Sequence, residues 1–272
     1  MKYKFLINLK NNLRKYTEQP LIEIFDQVAI DPPDQKITPV VYQTWIINQF
    51  GRTHAQEINK FRELNRNLSF KFFTDLQMDE YMKHSWGNHK IFEVYQNSLI
   101  GPLRTDIFRY CILYDRGGYY FDISRGCKIP LTHLHKNNDE AVITFEDTYS
   151  FIPPEKKSLH LLKQPFNHFL QWGLCFQKNH KILEILIEKI IDNYSFYKNK
   201  KFSNPKLAIL NFTGPGLYTK VVRNYIENYG LNNISQLDVK FNNNGIFKLK
   251  GSSFRYNLMP SYTYLENEFI CK

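Results

Sequence analysis

No run in this sequence approaches the ~18–20 consecutive apolar residues of a membrane-spanning helix. The N-terminal Phe5-Leu6-Ile7 is also too short for the core of a signal peptide. Both absences predict a cytoplasmic protein, at most peripheral at the inner face of a membrane. Only four cysteines occur, Cys111, Cys127, Cys175 and Cys271, and no two have C-x-x-C spacing. That argues against a zinc or dithiol redox site and predicts free, buried thiols in a reducing compartment. There is no G-x-x-x-x-G-K-[ST] phosphate loop, no G-x-S-x-G elbow and no H-E-x-x-H. The eight histidines show no metal-ligand spacing. No repeat of fixed period and no low-complexity tract interrupts the chain. Acidic residues are the minority charge, 26 against 36 Lys plus Arg, which leaves a formal net charge of +10. Anionic partners are favoured, such as nucleotide diphosphates or lipid head groups. Nucleic acid is not expected as a partner, because no RNA-binding signature or helix-turn-helix pattern is present.

The 272 residues suffice for one large α/β domain with a small appendage. Residues 1–36 read as an N-terminal helical extension, with a helical stretch around Glu18–Val28 and the Pro-rich turn Asp31-Pro32-Pro33-Asp34. Residues 37–272 read as a single domain. Pro39–Trp45 is a buried first strand, Thr53–Asn65 an amphipathic helix and Ser69–Phe73 a second strand. Gly101–Arg116 is the best-marked helix, with Pro102 at its start and Gly117 at its stop. The strand Gly118–Ile123 follows at once, and Ala141–Phe145 is another strand. Helices are expected at His180–Tyr194 and Leu217–Asn228, and short strands and loops in the last forty residues. Strand and helix alternate in the first half, which implies a mostly parallel, Rossmann-like sheet flanked by helices. Ligands of such sheets bind beyond the C-terminal strand ends, here Gln43, Thr44, Trp45 and Asp122.

Three residues carry the chemistry. Asp106 and Arg109 are neighbours on one helix surface, and Asp122 ends the next strand. Two carboxylates and a guanidinium suit sugar hydroxyls, through charge-assisted hydrogen bonds. Trp and Tyr nearby suit a nucleotide base. Glu146 and Asp147 follow a strand, and either face the site or sit in a solvated loop. Trp172 reads either as core or as lining an acceptor pocket.

Four segments resemble the family 32 glycosyltransferases, sugar transferases with a D-x-D motif that are related to the clostridial toxin glucosyltransferases. Pro39-Val40-Val41-Tyr42-Gln43-Thr44-Trp45 is similar to the family's opening strand. Thr105-Asp106-Ile107-Phe108-Arg109-Tyr110 is similar to its x-D-x-x-R-Y segment. Gly117-Gly118-Tyr119-Tyr120-Phe121-Asp122-Ile123-Ser124 is similar to G-G-x-Y-x-D-x-D, and Thr213-Gly214-Pro215-Gly216 is a weaker fourth match. The resemblance implies a GT-A fold, with residues 37–130 as the nucleotide-sugar-binding half and 131–272 as the acceptor side. It implies retaining transfer of a hexose from a UDP- or GDP-linked donor to a glycan or lipid-linked acceptor of a surface polysaccharide. Gln43, Thr44 and Trp45 would border the base. Asp106 and Arg109 would hold donor-sugar hydroxyls. Gly118, Tyr120 and Asp122 would complete the donor site, with Asp106, Arg109 and Asp122 as the catalytic set. Mn²⁺ or Mg²⁺ would rest on Asp122 and the second motif position, here Ser124, with Glu266 or Asn267 supplying a further ligand.

Serine there is a neutral, weaker ligand than the family's acid. Three outcomes stay open. The cation is held by Asp122, the diphosphate and a C-terminal residue; or Arg125 or Lys128 replaces it; or the chain binds sugar nucleotides without turnover.

Overall fold

A computed structural model describes residues 21–253 and 264–272. Its centre is a six-stranded sheet in the order β10-β5-β8-β3-β1-β2. These strands are β1 (Val40–Thr44), β2 (Ser69–Phe73), β3 (Gly118–Phe121), β5 (Ala141–Ile143), β8 (Gly173–Phe176) and β10 (Ile234–Gln236). β8 alone runs against its neighbours β3 and β5. The remaining pairs are parallel. Short ladders join β4 (Gly126–Cys127) to β11 (Gly245–Ile246), β6 (Phe145–Tyr149) to β7 (Asn167–Phe169), and β9 (Lys201–Phe202) to β12 (Glu268–Phe269). Strands from both sequence halves therefore belong to one sheet.

Side chains alternate across a strand, so each strand feeds two layers. Tyr42, Tyr120 and Leu174 face the larger core. That core also holds α2 (Asp75–Trp86), α3 (Lys90–Asn97), α4 (Gly101–Arg116), α6 (Lys181–Tyr197), α7 (Pro205–Phe212) and α8 (Pro215–Tyr229); the short α5 is Lys156–Leu161. Val41, Tyr119, Phe121 and Cys175 face the other way, onto Phe61 of α1 (Arg52–Leu64). All four cysteines are free and buried, as their spacing implies.

The N-terminal expectation fails. From Leu21 to Val28 the chain is extended rather than helical, and residues 18–20 lie outside the described residues. The physical reason is the open edge of β2, whose backbone groups need partners. Gln27 exchanges backbone hydrogen bonds with Phe70 of that strand, at 3.0 and 2.8 Å. Ile22 does the same with Phe50. The side chain of Gln27 also donates toward the carbonyls of Arg62, Asn65 and Leu68, where α1 ends. Ile24 of this strap is buried against the sheet's helical layer. The predicted strand Ala141–Phe145 is also broken, at Thr144, into β5 and β6.

α4 delivers directly into β3. Gly117 and Gly118 hold φ of +65° and +111°, values that favour glycine. A Cβ on Gly118 would lie 2.5 Å from the Val40 carbonyl oxygen. Gly118→Ala is therefore expected to destabilise the fold by roughly 2–5 kcal/mol, backbone strain plus overpacking. A thermal melt within one degree of wild type would contradict this.

Candidate active site

The turn at Gly117 folds α4 back along β3, so the N-terminal half of the helix lies beside the C-terminal end of the strand. The three sequence-predicted residues meet there. Arg109 Nη2 lies 3.2 Å from Asp122 Oδ1 and 3.4 Å from Asp106 Oδ1. Its Nη1 donates to the Gln171 carbonyl at 2.9 Å. Its guanidinium carbon sits 4.6 Å from the centre of the Tyr120 ring. Asp106 and Arg109 are almost wholly enclosed, whereas the Asp122 side chain remains 31 % exposed. The pair thus forms the floor of the site and Asp122 its open lip. Backbone bonds fix that lip, because Asp122 N–H donates to the Trp172 carbonyl and Arg125 N–H to the Asp122 carbonyl.

Burial pushes the Asp106 carboxyl up to about 7, although Arg109 and the Thr213 hydroxyl pull it down. Burial opposes the charge on Arg109, yet Tyr120, Asp122 and Asp106 outweigh it and hold its pKa above the usual value. A carboxyl raised on folding stabilises most below its unfolded pKa. That contribution fades as pH rises through the folded value, here about 7. Between about pH 5 and pH 8, wild type is expected to lose more melting temperature than Asp106→Asn. Parallel calorimetric profiles for the two proteins would refute this.

Sequence reasoning found the TGPG segment but gave it no role. The structure shows one. Thr213 ends α7, and its hydroxyl donates to Asp106 Oδ2 at 3.0 Å. Its carbonyl accepts from Tyr110 and from the Gln171 amide. Gly214 and Gly216 allow the tight passage into α8, since a Cβ on either would lie under 3 Å from Leu210 backbone. Thr213, Gln171 and Tyr110 are thus supporting residues that lie far apart in sequence; only folding joins them.

The other predicted positions scatter. Thr44 ends β1, and the parallel register of Tyr42 with Tyr120 sets it level with Asp122. Trp45 is half-buried and packs on a cluster that contains Ile123, the middle of the motif. Gln43 is fully buried, accepts from Arg62 at 3.3 Å, and leaves its amide nitrogen unpartnered. Tyr120 is buried beneath Arg109, where it supports the guanidinium. Gly118 lies at the opposite end of β3 from Asp122 and serves the turn.

Ser124 is buried and its carbonyl accepts from Leu249 N–H. Glu266 is exposed and Asn267 adopts a left-handed φ of 53° on the approach to β12, which pairs with β9. Among the described residues no group of three His, Cys, Asp or Glu is placed to hold a metal. Asp122 is thus the motif's one carboxylate, and its Oδ1 already accepts from Arg109. Lys128 donates to the Asn243 carbonyl, while Arg125 keeps a buried, unpartnered Nε. Cavities of about 440 Å³ lie along β2, beside Lys71 and Tyr81, and on the β6–β7 hairpin, beside Tyr149 and Phe166. Neither is lined by the Asp106–Arg109–Asp122 set.

Residues 51–142, which contain this whole set, match the family model described as the glycosyltransferase sugar-binding region containing the DXD motif. That segment is similar to a glycosyltransferase sugar-binding region, with Ser124 in place of the motif's second acid. The initiation-specific alpha-1,6-mannosyltransferase of Schizosaccharomyces pombe is similar to this chain, 25% identical over 78% of it and 51% of the yeast protein. The mannosyl phosphorylinositol ceramide synthase CSH1 of Saccharomyces cerevisiae is 24% identical over 90% of this chain and 60% of that protein. The chain thus spans about half to three fifths of the length of these curated relatives. The solved structure of the PaToxG glycosyltransferase superposes with a TM-score of 0.50, covering 84% of this chain and 79% of that one at 15% identity. The chain thus has the GT-A fold that its motifs imply.

Proposed function

We propose that this chain is a retaining glycosyltransferase that moves a hexose from a nucleoside-diphosphate sugar to a hydroxyl of a glycan or glycolipid. The convergence of Asp106 and Asp122 on one buried guanidinium carries the reading. Such a set grips sugar hydroxyls in fixed directions and leaves Asp122 open to the donor. Two similar proteins are named as mannosyltransferases, which favours mannose as the hexose.

In the reaction, the bond from the anomeric carbon to the β-phosphate oxygen breaks and a bond to the acceptor oxygen forms on the same face. The acceptor proton passes to the departing phosphate. Positive charge grows at the anomeric carbon while it is held near Asp122, and negative charge grows on the phosphate. Arg125, with its free Nε, follows Asp122 closely and is the protein cation we assign to that phosphate. A divalent cation, where bound, would rest on Asp122 and the donor's own phosphate oxygens, and would add charge compensation.

The net charge of +10 suits an anionic donor and an acceptor presented at a membrane face, as in surface polysaccharide or glycolipid synthesis. Among the described residues no helix is long and apolar enough to cross a membrane.

A thermal-shift screen against UDP-, GDP- and CDP-sugars, with Mn²⁺ and with chelator, tests the reading. A bound donor raises the melting temperature by mass action. We expect a GDP- or UDP-hexose to give the largest shift. No shift and no hydrolysis with any donor would overturn the proposal.

A further inference from the structure

The donor grip occupies the end of β3, and the sheet order places two different surfaces on its flanks. On one side lies β1, with Thr44 and Trp45. On the other lies β8, whose reversed direction brings its beginning, Gln171-Trp172-Gly173, to the same edge. β5 comes next and leads into β6, which carries Glu146 and Asp147.

This second flank is built as a shelf. Trp172 is only 6 % exposed, and its backbone carbonyl accepts from Asp122 N–H. The buried indole Nε1–H is directed at the Glu146 carboxyl and favours its charged form. The indole is held edge-on by Phe121, Phe241 and Phe247. Gly173 and Gly245 leave room for this packing, since a Cβ on either would lie 2.9 Å from the Phe241 or Trp172 ring. Phe241 itself lies in a left-handed turn, Lys240 to Asn243, with its N–H on the Thr144 hydroxyl at 2.8 Å. The turn presents Lys240 to Asp147. Phe247 is half exposed and carries the Arg125 guanidinium 3.8 Å from its ring centre. Glu146 is half-buried, with its backbone carbonyl tied to the Asn167 amide at 2.8 Å.

We propose that Glu146, backed by the Trp172 indole, and the Phe247 ring form the acceptor subsite, which takes a pyranose of the glycan or glycolipid that receives the transferred sugar. The chemistry is that of carbohydrate recognition. An exposed ring covers the C–H face of the sugar, and a carboxylate fixed by its neighbours reads its hydroxyls. Burial pushes the Glu146 carboxyl up to about 7, against the pull of Lys240, Arg125 and the Trp172 indole and with the push of Asp147. At neutral pH it therefore both accepts and donates hydrogen bonds to hydroxyls. Position supports the assignment, because Trp172 joins the shelf to the Asp122 lip through one backbone hydrogen bond.

The inference rests on the proposed donor site, and one binding experiment separates the two. Saturation-transfer NMR is run with methyl α- and β-pyranosides of mannose, glucose and galactose. The full chain is first loaded with GDP or UDP, whichever stabilises it more. Wild type is expected to bind at least one glycoside. Glu146→Gln and Phe247→Ala are each expected to weaken that binding tenfold or more, while the dissociation constant of the nucleotide stays within twofold in Glu146→Gln, the isosteric change that leaves the ring beneath Arg125 in place. Glycoside binding that neither variant alters overturns the inference and leaves the donor site standing, as does the absence of any glycoside signal on a nucleotide-loaded wild type. Equal losses of glycoside and nucleotide place Glu146 on the donor side and overturn it too. A wild type that binds no nucleotide overturns both readings.

Discussion

Arg109→Ala is expected to abolish transfer and to lower the melting temperature by roughly 6–20 °C. The second figure follows from burial. Arg109 is enclosed with Asp106, and removing one partner of such a pair costs about 3–5 kcal/mol. In a domain of this size each kcal/mol is worth about 2–4 °C. Alanine leaves Asp106 without its cation and leaves the Gln171 carbonyl without its donor. Burial then drives Asp106 toward the neutral form, and the site loses the charge that directs sugar hydroxyls. Arg109→Lys tests geometry apart from charge. A single ammonium cannot reach Asp106, Asp122 and the Gln171 carbonyl together, as the planar fork does. Lysine is therefore expected to recover part of the stability and little of the activity. The check is a pair of measurements on each variant, melting temperature and donor hydrolysis. An Arg109→Ala protein that hydrolyses donor at the wild-type rate would remove the guanidinium from the mechanism.

The same residues show what a linear sequence discloses. α4 begins and ends where Pro102 and Gly117 predict, because both act locally through the backbone. Asp106 and Arg109 were legible as a pair by helical spacing, and Asp122 by the double glycine before it. The strap Leu21–Val28 misled, since its partner is the edge of β2, far along the chain, and only that pairing makes it extended. The reversed β8 was invisible for a similar reason. Gly173–Phe176 is short and buried on both faces, so it shows neither a strand's alternation nor a helix's period. Trp172 read as core or as pocket lining, and its burial fits the first, but nothing local in the sequence discloses that its indole is directed at Glu146. Thr213 and Gln171 brace the site from positions with no local signature, through single hydrogen bonds that long-range folding creates. Local backbone chemistry is thus readable, whereas supporting contacts across the sheet are not.

Asp122→Asn separates function from folding most sharply. Asparagine has the same shape, and its amide oxygen still accepts from Arg109. The backbone bonds to Trp172 and Arg125 are unaffected, since they do not involve the side chain. The side chain is 31 % exposed, so solvent screens its pair with Arg109 and the expected loss of stability is about 1 kcal/mol or less. What disappears is a negative charge at the open lip of the site. If the donor sugar lies there, positive charge develops beside that lip as the phosphate departs. Loss of one such preorganised electrostatic contact costs about 10²–10³ in turnover. The expected variant therefore melts almost with wild type, keeps the thermal shift caused by free nucleoside diphosphate, and turns over donor at least a hundredfold more slowly. Ser124 sharpens the prediction, because the motif holds no second carboxylate to take over the charge. Turnover within threefold of wild type would mean that the charge at position 122 does not face the reacting sugar. The convergence of Asp106, Arg109 and Asp122 would then be a structural knot and no more.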